Sequence, residues 1–422
     1  FLEIALIRRI QDSLFLKYKF LYYFLSKKLY YFFKCQSKKH VQQQKIRFGK
    51  TKIYFAHNPE IIRSVFKYGK RLHREPLQKI IGKGLFSEET SPKSRERRKK
   101  IQNTINRDVI NYIDLCIHHN FKTFKFNRLK DHEIMCHFRR LSIETNVDII
   151  LSPENNNDKK KLSDAVGIIL DYIEYDLFTS VKILKSKKKQ FFLAKKQIFN
   201  YVSDNLNKSH LKSDNSFLGC LTLLYNQGEL TEEQINDEIL SFLGSGVETT
   251  GTMLFWVMKC FMDYSAEAEK IKKEITQENV NHKSVLKNRY FNDFVLETLR
   301  YYPAAWAMIR YIDNDCIPSI EPESFVWVSP CMTHFDERYW EKSELFYPER
   351  FNHPYDKNTY FPFAQGTHKC FGEYLAMSQM KAFLYLCATR LDTKRCKIKI
   401  GKLSSKLALA PKKIRGELIE YP

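Results

Sequence analysis

Apolar residues recur at helical spacing along much of this chain. The pattern is clearest at residues 231–254, 291–302 and 373–391. A capping box opens the first stretch and Pro303 follows the second, which predicts where those two helices begin and end. The apolar positions are Ile235, Ile239, Leu243, Val247 and Leu254; Phe291, Phe294, Val295 and Leu299; and Leu375, Phe383, Leu384 and Leu386. The chain is therefore predicted to be mainly helical.

A different pattern occurs nearer the N-terminus. Lys45–Gly49 and Lys52–Ala56 are predicted to be two strands around a turn, and Asn58 with Pro59 predicts the start of a helix. These strands indicate a small β-rich lobe. No Pro-, Gly- or Ser-rich linker and no internal repeat divides residues 41–422, so we expect one two-lobed domain there.

Residues 1–40 form an aromatic and basic segment. Aromatic side chains crowd the stretch from Leu14 to Phe33, and the lysines within it are Lys17, Lys19, Lys27 and Lys28. These lysines exclude a spanning helix but suit a helix at a membrane interface. An ordinary packing helix is an equally good interpretation. The sequence begins at Phe1 and not at methionine, so the presence of an anchor segment before it stays open.

The amino-acid composition indicates the cellular compartment and the kinds of binding partner to expect. The 422 residues carry a net charge of +22 and ten cysteines without paired spacing. A chain this large buries its own core, so we expect reduced thiols and a location on the cytosolic side. Lysines cluster at 93–100, 159–161 and 187–189. An acidic redox protein near Lys369, an anionic membrane surface or nucleic acid would explain this charge.

One cysteine stands in a setting suited to metal binding. Cys370 lies between Gly366 and Gly372, in a run that begins at Phe363. Glycines let backbone N–H groups approach a sulfur without obstruction by side chains. The helix predicted from Glu373 would place its positive end near a thiolate.

The spacing Phe-x-x-Gly-x-x-x-Cys-x-Gly resembles the haem-binding signature of the cytochrome P-450 haem-thiolate monooxygenases. The resemblance implies that Cys370 is the axial iron ligand, with Phe363, Gly366, His368 and Gly372 around the cofactor. It also implies a mainly α fold with a small β-rich lobe. In that fold haem b lies between a long distal helix and the proximal cysteine loop.

Two further segments fit the same family in the same order. Glu297 and Arg300 share a helix face, and Arg350 belongs to a Pro-Glu-Arg-Phe element. In the family such residues form a buried network behind the haem, so the resemblance implies a structural role for all three. Taken alone, a glutamate and an arginine at this spacing would more often be a solvated pair.

Glycines interrupt the long helix at 231–254, where each costs about 1 kcal/mol relative to alanine. This segment resembles the family's distal segment, in which a small residue makes room for dioxygen and an acid-alcohol pair delivers protons. The resemblance implies that Gly246 lines the oxygen pocket and that Glu248 and Thr249 form the relay. The alternative is that Thr249 bonds back to a helix carbonyl and Glu248 faces solvent.

Three residues are candidates for holding the haem propionates. Arg98 ends a segment that resembles the family's Trp-x-x-x-Arg element, although Ser94 stands at the tryptophan position. Arg310 matches a second propionate-binding arginine. His368 stands where the family usually has arginine, and its charge would depend on pH. The departures at Ser94 and His368 imply a looser clamp on the propionates.

The resemblance covers roughly residues 41–400 and implies a monooxygenase. Such an enzyme inserts one atom of O2 into an apolar organic substrate, here lipid- or sterol-like. Electrons would come from a separate flavin-containing reductase or a ferredoxin. The expected location is peripheral to an intracellular membrane such as the endoplasmic reticulum.

Other activities stay open. Some members of the fold act as isomerases, dehydratases or peroxygenases, and turnover without added reductant would favour them. A non-catalytic nucleic-acid-binding protein is a remote alternative, because the basic residues form scattered clusters without a zinc-finger spacing. The residues alone leave the substrate and its regiochemistry open.

Overall fold

The computed structural model describes residues 16–421, apart from 27, 40–42, 73, 127, 179–184, 209–214, 279 and 282–283. Within these residues the chain is mainly helical with small β-sheets, which confirms the predicted fold class. The helices are α1 (16–25), α2 (Leu29–Ser37), α3 (Pro59–Tyr68), α4 (Glu75–Ile81), α5 (Pro92–Thr104), α6 (Arg107–Thr123), α7 (His132–Leu151), α8 (Asn156–Phe178), α9 (Lys185–Lys208), α10 (Phe217–Asn226), α11 (Glu232–Asp263), α12 (Ser265–Gln277), α13 (Arg289–Tyr301), α14 (Pro330–His334) and α15 (Glu373–Arg390).

The strands are β1 (Gln43–Phe48), β2 (Thr51–Ala56), β3 (Met308–Ile312), β4 (Ser324–Val328), β5 (Lys397–Ile400), β6 (Leu403–Ser405), β7 (Leu409–Pro411) and β8 (Ile414–Glu417). The first four form one sheet in the order β1-β2-β4-β3, with β2 and β4 parallel and the outer pairs antiparallel. The predicted β1–β2 hairpin is confirmed. The remaining strands were not predicted, since β4 pairs with a strand far away in sequence and the C-terminal pairs are short.

The three helices with the clearest apolar spacing are confirmed. Before α11, the Thr231 N–H donates to Gln234 Oε1 at 2.9 Å and the Gln234 N–H donates to Thr231 Oγ1 at 3.3 Å, as a capping box requires. α13 ends at Tyr301, shortly before Pro303. α11 packs against both α7 and α15, and most of its side chains from Ile235 onward are buried.

The described part of the N-terminal segment consists of α1 and α2, while residues 1–15 and 27 lie outside the described residues. α2 is a packing helix that buries Phe32 and Phe33. α1 has two different faces. Leu16 and Phe20 pack inward, with the Phe20 ring centroid 5.3 Å from that of Phe55 in β2. The exposed side chains are Tyr18, Leu21, Tyr22, Phe24 and Leu25.

Nowhere among the described residues does a helix combine the length and the apolar character that crossing a bilayer requires.

Candidate active site

The cysteine loop is held in place by close backbone contacts. The Cys370 N–H donates a hydrogen bond to the Phe363 carbonyl at 2.8 Å. Gly366 has a φ of +66°, and a Cβ at this position would lie 2.5 Å from the carbonyl oxygen of Phe66 in α3. Glycine is therefore required where the loop crosses α3.

The Cys370 side chain is reached by solvent, although protein atoms surround the sulfur on most sides. This burial raises the pKa of the thiol, and the Glu373 carboxylate acts in the same direction. The Gly372 N–H donates to the sulfur, and Arg98 lies near enough to stabilise a thiolate. Burial outweighs them, so the free thiol is protonated at neutral pH. A metal cation bound at the sulfur would displace that proton.

A metal bound at Cys370 would need its other ligands from elsewhere. In the part of the chain that the structure describes, no group of three or more His, Cys, Asp or Glu side chains is placed to hold a metal ion. A haem would bring most of its own ligands and would need little more than one side chain, such as a cysteine thiolate, from the protein. The Cys370 sulfur could serve as that side chain.

Arg71, Arg98, Arg310 and His368 lie close together beside the cysteine loop. Burial lowers the pKa of Arg71 well below its usual value, and the positive charges of Arg310, Arg74 and Arg98 lower it further. Arg310 is buried, and its Nε has no hydrogen-bond partner among the described residues. Mutually repelling cations that are buried or partly buried indicate an anionic ligand, and two carboxylates of a haem would fit.

His368 does not behave as the sequence suggested. Burial and the charges of Arg71 and Arg310 lower the pKa of His368 to about 2, so the ring is neutral throughout the physiological pH range. Its Nε2 lies 2.6 Å from Thr90 Oγ1. Neighbouring arginines thus suppress protonation of His368 in the described structure, and its role toward a propionate stays a prediction.

The structure brings Arg98 to the cysteine loop. Its Nη2 donates to the Lys369 carbonyl at 2.6 Å, whereas the adjacent Arg97 turns toward Glu238 in α11, at 2.9 Å. Ser94, at the tryptophan position of the family pattern, forms a capping box with Ser91 at the start of α5. The residue at this position therefore stabilises the helix start and does not provide an aromatic donor.

Sequence reasoning missed Arg71. This residue lies in the connection between α3 and α4, and its Nη1 donates to the Leu85 carbonyl at 3.1 Å. No motif marks it, and its charge was the only available signal. Its position adds a cation that offsets the loss of charge at His368.

Glu297, Arg300 and Arg350 meet in one buried cluster. Arg300 Nε and Nη2 donate to the two Glu297 carboxylate oxygens at 2.7 and 2.9 Å. Arg350 Nε and the Tyr347 N–H donate to Glu297 Oε1 at 3.1 and 2.8 Å. The side chains of Glu297 and Arg300 are fully buried. Buried charges persist when they are paired and hydrogen-bonded in this way.

His334 connects this cluster to the segment before the cysteine loop, and no sequence pattern pointed to it. Its Nδ1 lies 3.1 Å from the Arg300 carbonyl oxygen, which can only accept, so Nδ1 carries the proton. Its Nε2 accepts from the Phe361 N–H at 3.4 Å. Burial lowers the pKa of His334 to about 3, and Arg300 contributes to this decrease. The ring is a neutral hydrogen-bonded bridge.

The distal segment lies in a partly accessible stretch of α11. Thr249 Oγ1 donates to the Ser245 carbonyl at 2.9 Å, and Glu248 Oε2 accepts from Arg139 Nε at 2.8 Å. A Cβ on Gly246 would lie only 3.3 Å from Asn146 Oδ1, so α7 packs closely against this glycine. The oxygen-pocket and relay roles of these residues stay predictions.

Comparison with known proteins identifies the family that has this architecture. The sequence profile described as Cytochrome P450 matches residues 13–415. The chain belongs to the cytochrome P450 family. Members of this family bind haem, and monooxygenases and hydroxylases occur among its relatives.

Solved structures share the fold of this P450. The crystal structure of a cytochrome P450 (CYP102L1) has a TM-score of 0.75 at 18% identity, over 92% of this chain and 97% of that one. The cytochrome P450DA heme domain has a TM-score of 0.70 at 14% identity, over 93% and 92%.

Curated relatives match shorter segments. Carotene epsilon-monooxygenase of Arabidopsis thaliana is 26% identical over 50% of this P450 and 42% of its own length. Abscisic acid 8'-hydroxylase 4 of the same plant is 30% identical over 46% and 45%. Steroid 17-alpha-hydroxylase/17,20 lyase of Sus scrofa is 26% identical over 54% and 51%. The chain thus spans about half the length of the curated relatives it matches.

Proposed function

We propose that this P450 is a monooxygenase that inserts one oxygen atom from O2 into an apolar organic substrate. The observation that carries the proposal is the solvent-exposed Cys370, whose sulfur accepts a hydrogen bond from the Gly372 N–H and lies beside a group of buried and partly buried arginines. A thiolate ligand with a donor aimed at it and an anion-binding group nearby suits a haem with propionates.

We propose haem b as the cofactor. Cys370 would hold the iron, while Arg98, Arg310 and the newly identified Arg71 would bind the propionates. When bound, the haem supplies the oxygen activation and the electron chemistry. The protein contributes the thiolate, the orientation of the cofactor and the delivery of protons. We assign the last of these to Glu248 and Thr249.

For the substrate we propose an apolar lipid- or sterol-like molecule. The names of three relatives refer to a carotene, abscisic acid and a steroid. A search among such apolar compounds is therefore the best starting point.

We propose a separate flavin-containing reductase or a ferredoxin as the electron donor. Lys369 is 55% exposed beside Cys370, and basic residues of α5 lie close to the same loop. An acidic partner would be attracted to this region.

We propose a location on the cytosolic side, peripheral to an intracellular membrane such as the endoplasmic reticulum. The exposed aromatic and aliphatic side chains of α1 lie beside lysines, as they do in helices that bind an anionic membrane surface. The inward face of α1 is already packed, so only one face would be available to lipid.

The test is the carbon monoxide difference spectrum of the dithionite-reduced protein. We expect a strongly red-shifted Soret band that Cys370→Ala abolishes. Cys136→Ala is the matched control, because Cys136 is also exposed but lies on α7. The control should retain the band. Absence of haem, or a band that survives Cys370→Ala, would refute the assignment.

A further inference from the structure

An open groove of about 800 Å³ lies at the N-terminal end of α11. Its walls come from α4 and the connection that follows it, from α9 and from the first two turns of α11. In the described structure, this groove includes no residue of the cysteine loop or of the distal segment. Gly246 lies nine residues beyond Asp237 on α11, which is roughly 13 Å along the helix axis. The groove is therefore a separate feature of the molecule.

The walls of the groove carry charges of both signs. The carboxylates are Glu75, Glu232, Glu233 and Asp237. The lysines are Lys79, Lys83 and Lys195. A molecule with only negative or only positive charge would meet charges of its own sign here. A molecule that carries both signs would match the groove better.

Asp237 and Lys195 are half-buried, whereas the other charged side chains of the groove are exposed. Asp237 Oδ2 accepts from the Lys83 N–H at 2.7 Å, and Lys195 Nζ donates to the Ile80 carbonyl at 3.1 Å. Neither forms a salt bridge within the described residues. Burial raises the pKa of Asp237 and lowers the pKa of Lys195. Each group has thus lost hydration without gaining a counter-charge in contact.

Asn236 adds an acceptor that lacks a donor. Its side chain lines the groove beside Asp237 and is only 8% exposed. Its Oδ1 has no hydrogen-bond partner among the described residues. A buried acceptor without a donor is costly, and an N–H group on a molecule in the groove would satisfy it.

These groups suit an organic molecule better than a metal ion. In the described part of the chain, no group of three or more His, Cys, Asp or Glu side chains is placed to hold a metal. An ammonium group has N–H donors for both Asp237 and Asn236, and a carboxylate would accept from Lys195. Phe199 also lines the groove and offers an apolar surface beside these polar groups.

We propose that this groove binds an amino-acid-like zwitterion, a small molecule that carries an ammonium group and a carboxylate. The ammonium group would pair with Asp237 and donate to Asn236 Oδ1, and the carboxylate would pair with Lys195. The inference goes beyond the proposed function, because it assigns a second site that does not involve Cys370.

Isothermal titration calorimetry of the full, haem-loaded chain at neutral pH tests the proposal, with L-leucine as the probe. Two analogues of the same carbon skeleton each lack one charge. They are 4-methylpentanoate, without the ammonium group, and 3-methylbutylamine, without the carboxylate. We expect saturable binding of leucine that is at least tenfold tighter than binding of either analogue. The Soret band, recorded in parallel, should not shift with leucine.

Two variants remove the charges at the floor of the groove. Asp237→Asn keeps an oxygen for the Lys83 N–H, and Lys195→Gln keeps a donor for the Ile80 carbonyl, so both should fold. Each should weaken leucine binding about tenfold, because each removes one charged hydrogen bond. Lys196→Gln is the matched control, since Lys196 is the next residue of α9 and is exposed outside the groove. It should leave the affinity unchanged.

Three results would overturn the inference. They are the absence of saturable leucine binding, equal affinities for leucine and its analogues, and binding that persists unchanged in both Asp237→Asn and Lys195→Gln. The third result together with a Soret shift would show that leucine binds at the haem instead. All three leave the proposed function intact, because the Cys370-dependent carbon monoxide spectrum does not depend on this groove.

Discussion

At the scale of single residues, Glu297 is held entirely by cationic and backbone donors. Arg300, Arg350 and the Tyr347 N–H all donate to its carboxylate. These donors come from α13 and from the segment before the cysteine loop. A change at Glu297 should therefore disturb both the packing of that region and the loop that follows it.

We expect Glu297→Gln to lower the free energy of unfolding by about 3–5 kcal/mol, because it leaves two buried arginines without a counter-charge. Chemical denaturation of the haem-loaded protein would measure this loss. Glu341→Gln is the control, since Glu341 is 88% exposed and its contact with Lys342 is long at 3.7 Å. The control should change stability by less than about 0.5 kcal/mol. Equal effects of the two variants would contradict the structural role of Glu297.

Glu238 is the residue whose titration should affect stability near neutral pH. Its Oε2 accepts from the Leu85 N–H at 2.9 Å, and its Oε1 lies 2.9 Å from Arg97 Nε without the alignment of a hydrogen bond. Burial raises the pKa of Glu238 from 4.5 to about 7, although Arg97 and the Leu85 N–H act in the opposite direction. The folded protein therefore binds this proton more tightly than the unfolded chain.

Stabilisation by that proton is complete below the unfolded pKa of about 4.5 and is lost as the pH rises to about 7. Glu238→Gln cannot titrate. The stability of the unmodified protein relative to this variant should therefore fall between about pH 5 and pH 8. Denaturation curves across this range would show it. A difference that stays constant with pH, or the same trend in the exposed Glu232→Gln control, would rule out Glu238 as the cause.

At the scale of elements, the connection between α4 and α5 lies directly on α11. The Lys83 N–H donates to Asp237 Oδ2 at 2.7 Å and the Phe86 N–H donates to Ser241 Oγ at 2.8 Å. A Cβ at Gly84 would collide with the Asp237 carbonyl and with Ser241. Glycine therefore permits a contact that holds this connection beside the distal helix.

Gly84→Ala should destabilise the protein by about 1–3 kcal/mol, because the connection would have to move away from α11. Thermal or chemical unfolding would measure the effect. Gly167→Ala is the matched comparison within α8, where the nearest atom to a new Cβ is Ile143 Cδ1 at 3.9 Å. That change should stabilise by about 1 kcal/mol through helix propensity. A neutral Gly84→Ala would mean that the connection does not depend on this contact.

At the scale of the whole molecule, the proposed membrane location would use both the net charge of +22 and the exposed face of α1. Long-range attraction would bring the protein to an anionic surface, and apolar side chains would then provide short-range contact. The inward face of α1 packs on the sheet, so this contact would not require α1 to leave the fold.

We expect Leu25→Ser to weaken binding to anionic lipid vesicles about tenfold, since burial of a leucine contributes about 1.5 kcal/mol or more. Vesicle sedimentation at two salt concentrations would measure it. Leu115→Ser on α6 is the control, because Leu115 is 63% exposed and Leu25 is 71% exposed. Binding that is insensitive to Leu25→Ser and to salt would argue against the interface.

Local patterns were enough for the three helices with the clearest apolar spacing and for the first hairpin. Capping residues and apolar spacing act over a few neighbouring positions, so Thr231 and Pro303 predicted ends that the structure confirms. Family resemblance, and not the local sequence pattern, predicted that Glu297, Arg300 and Arg350 form one network. The structure brings them together.

Arg71, His334 and Arg139 could not be found in this way. Each acts through a partner on another element, and a single arginine or histidine in sequence has no feature that distinguishes it from a surface residue. The tertiary structure also decided the charge of His368, since its pKa depends on arginines from three separate segments. The spacing of residues along the chain therefore determined the helices, strands and motifs. Burial and the electrostatic fields of distant charges exist only after folding, and they determine the protonation states and contacts of the site residues.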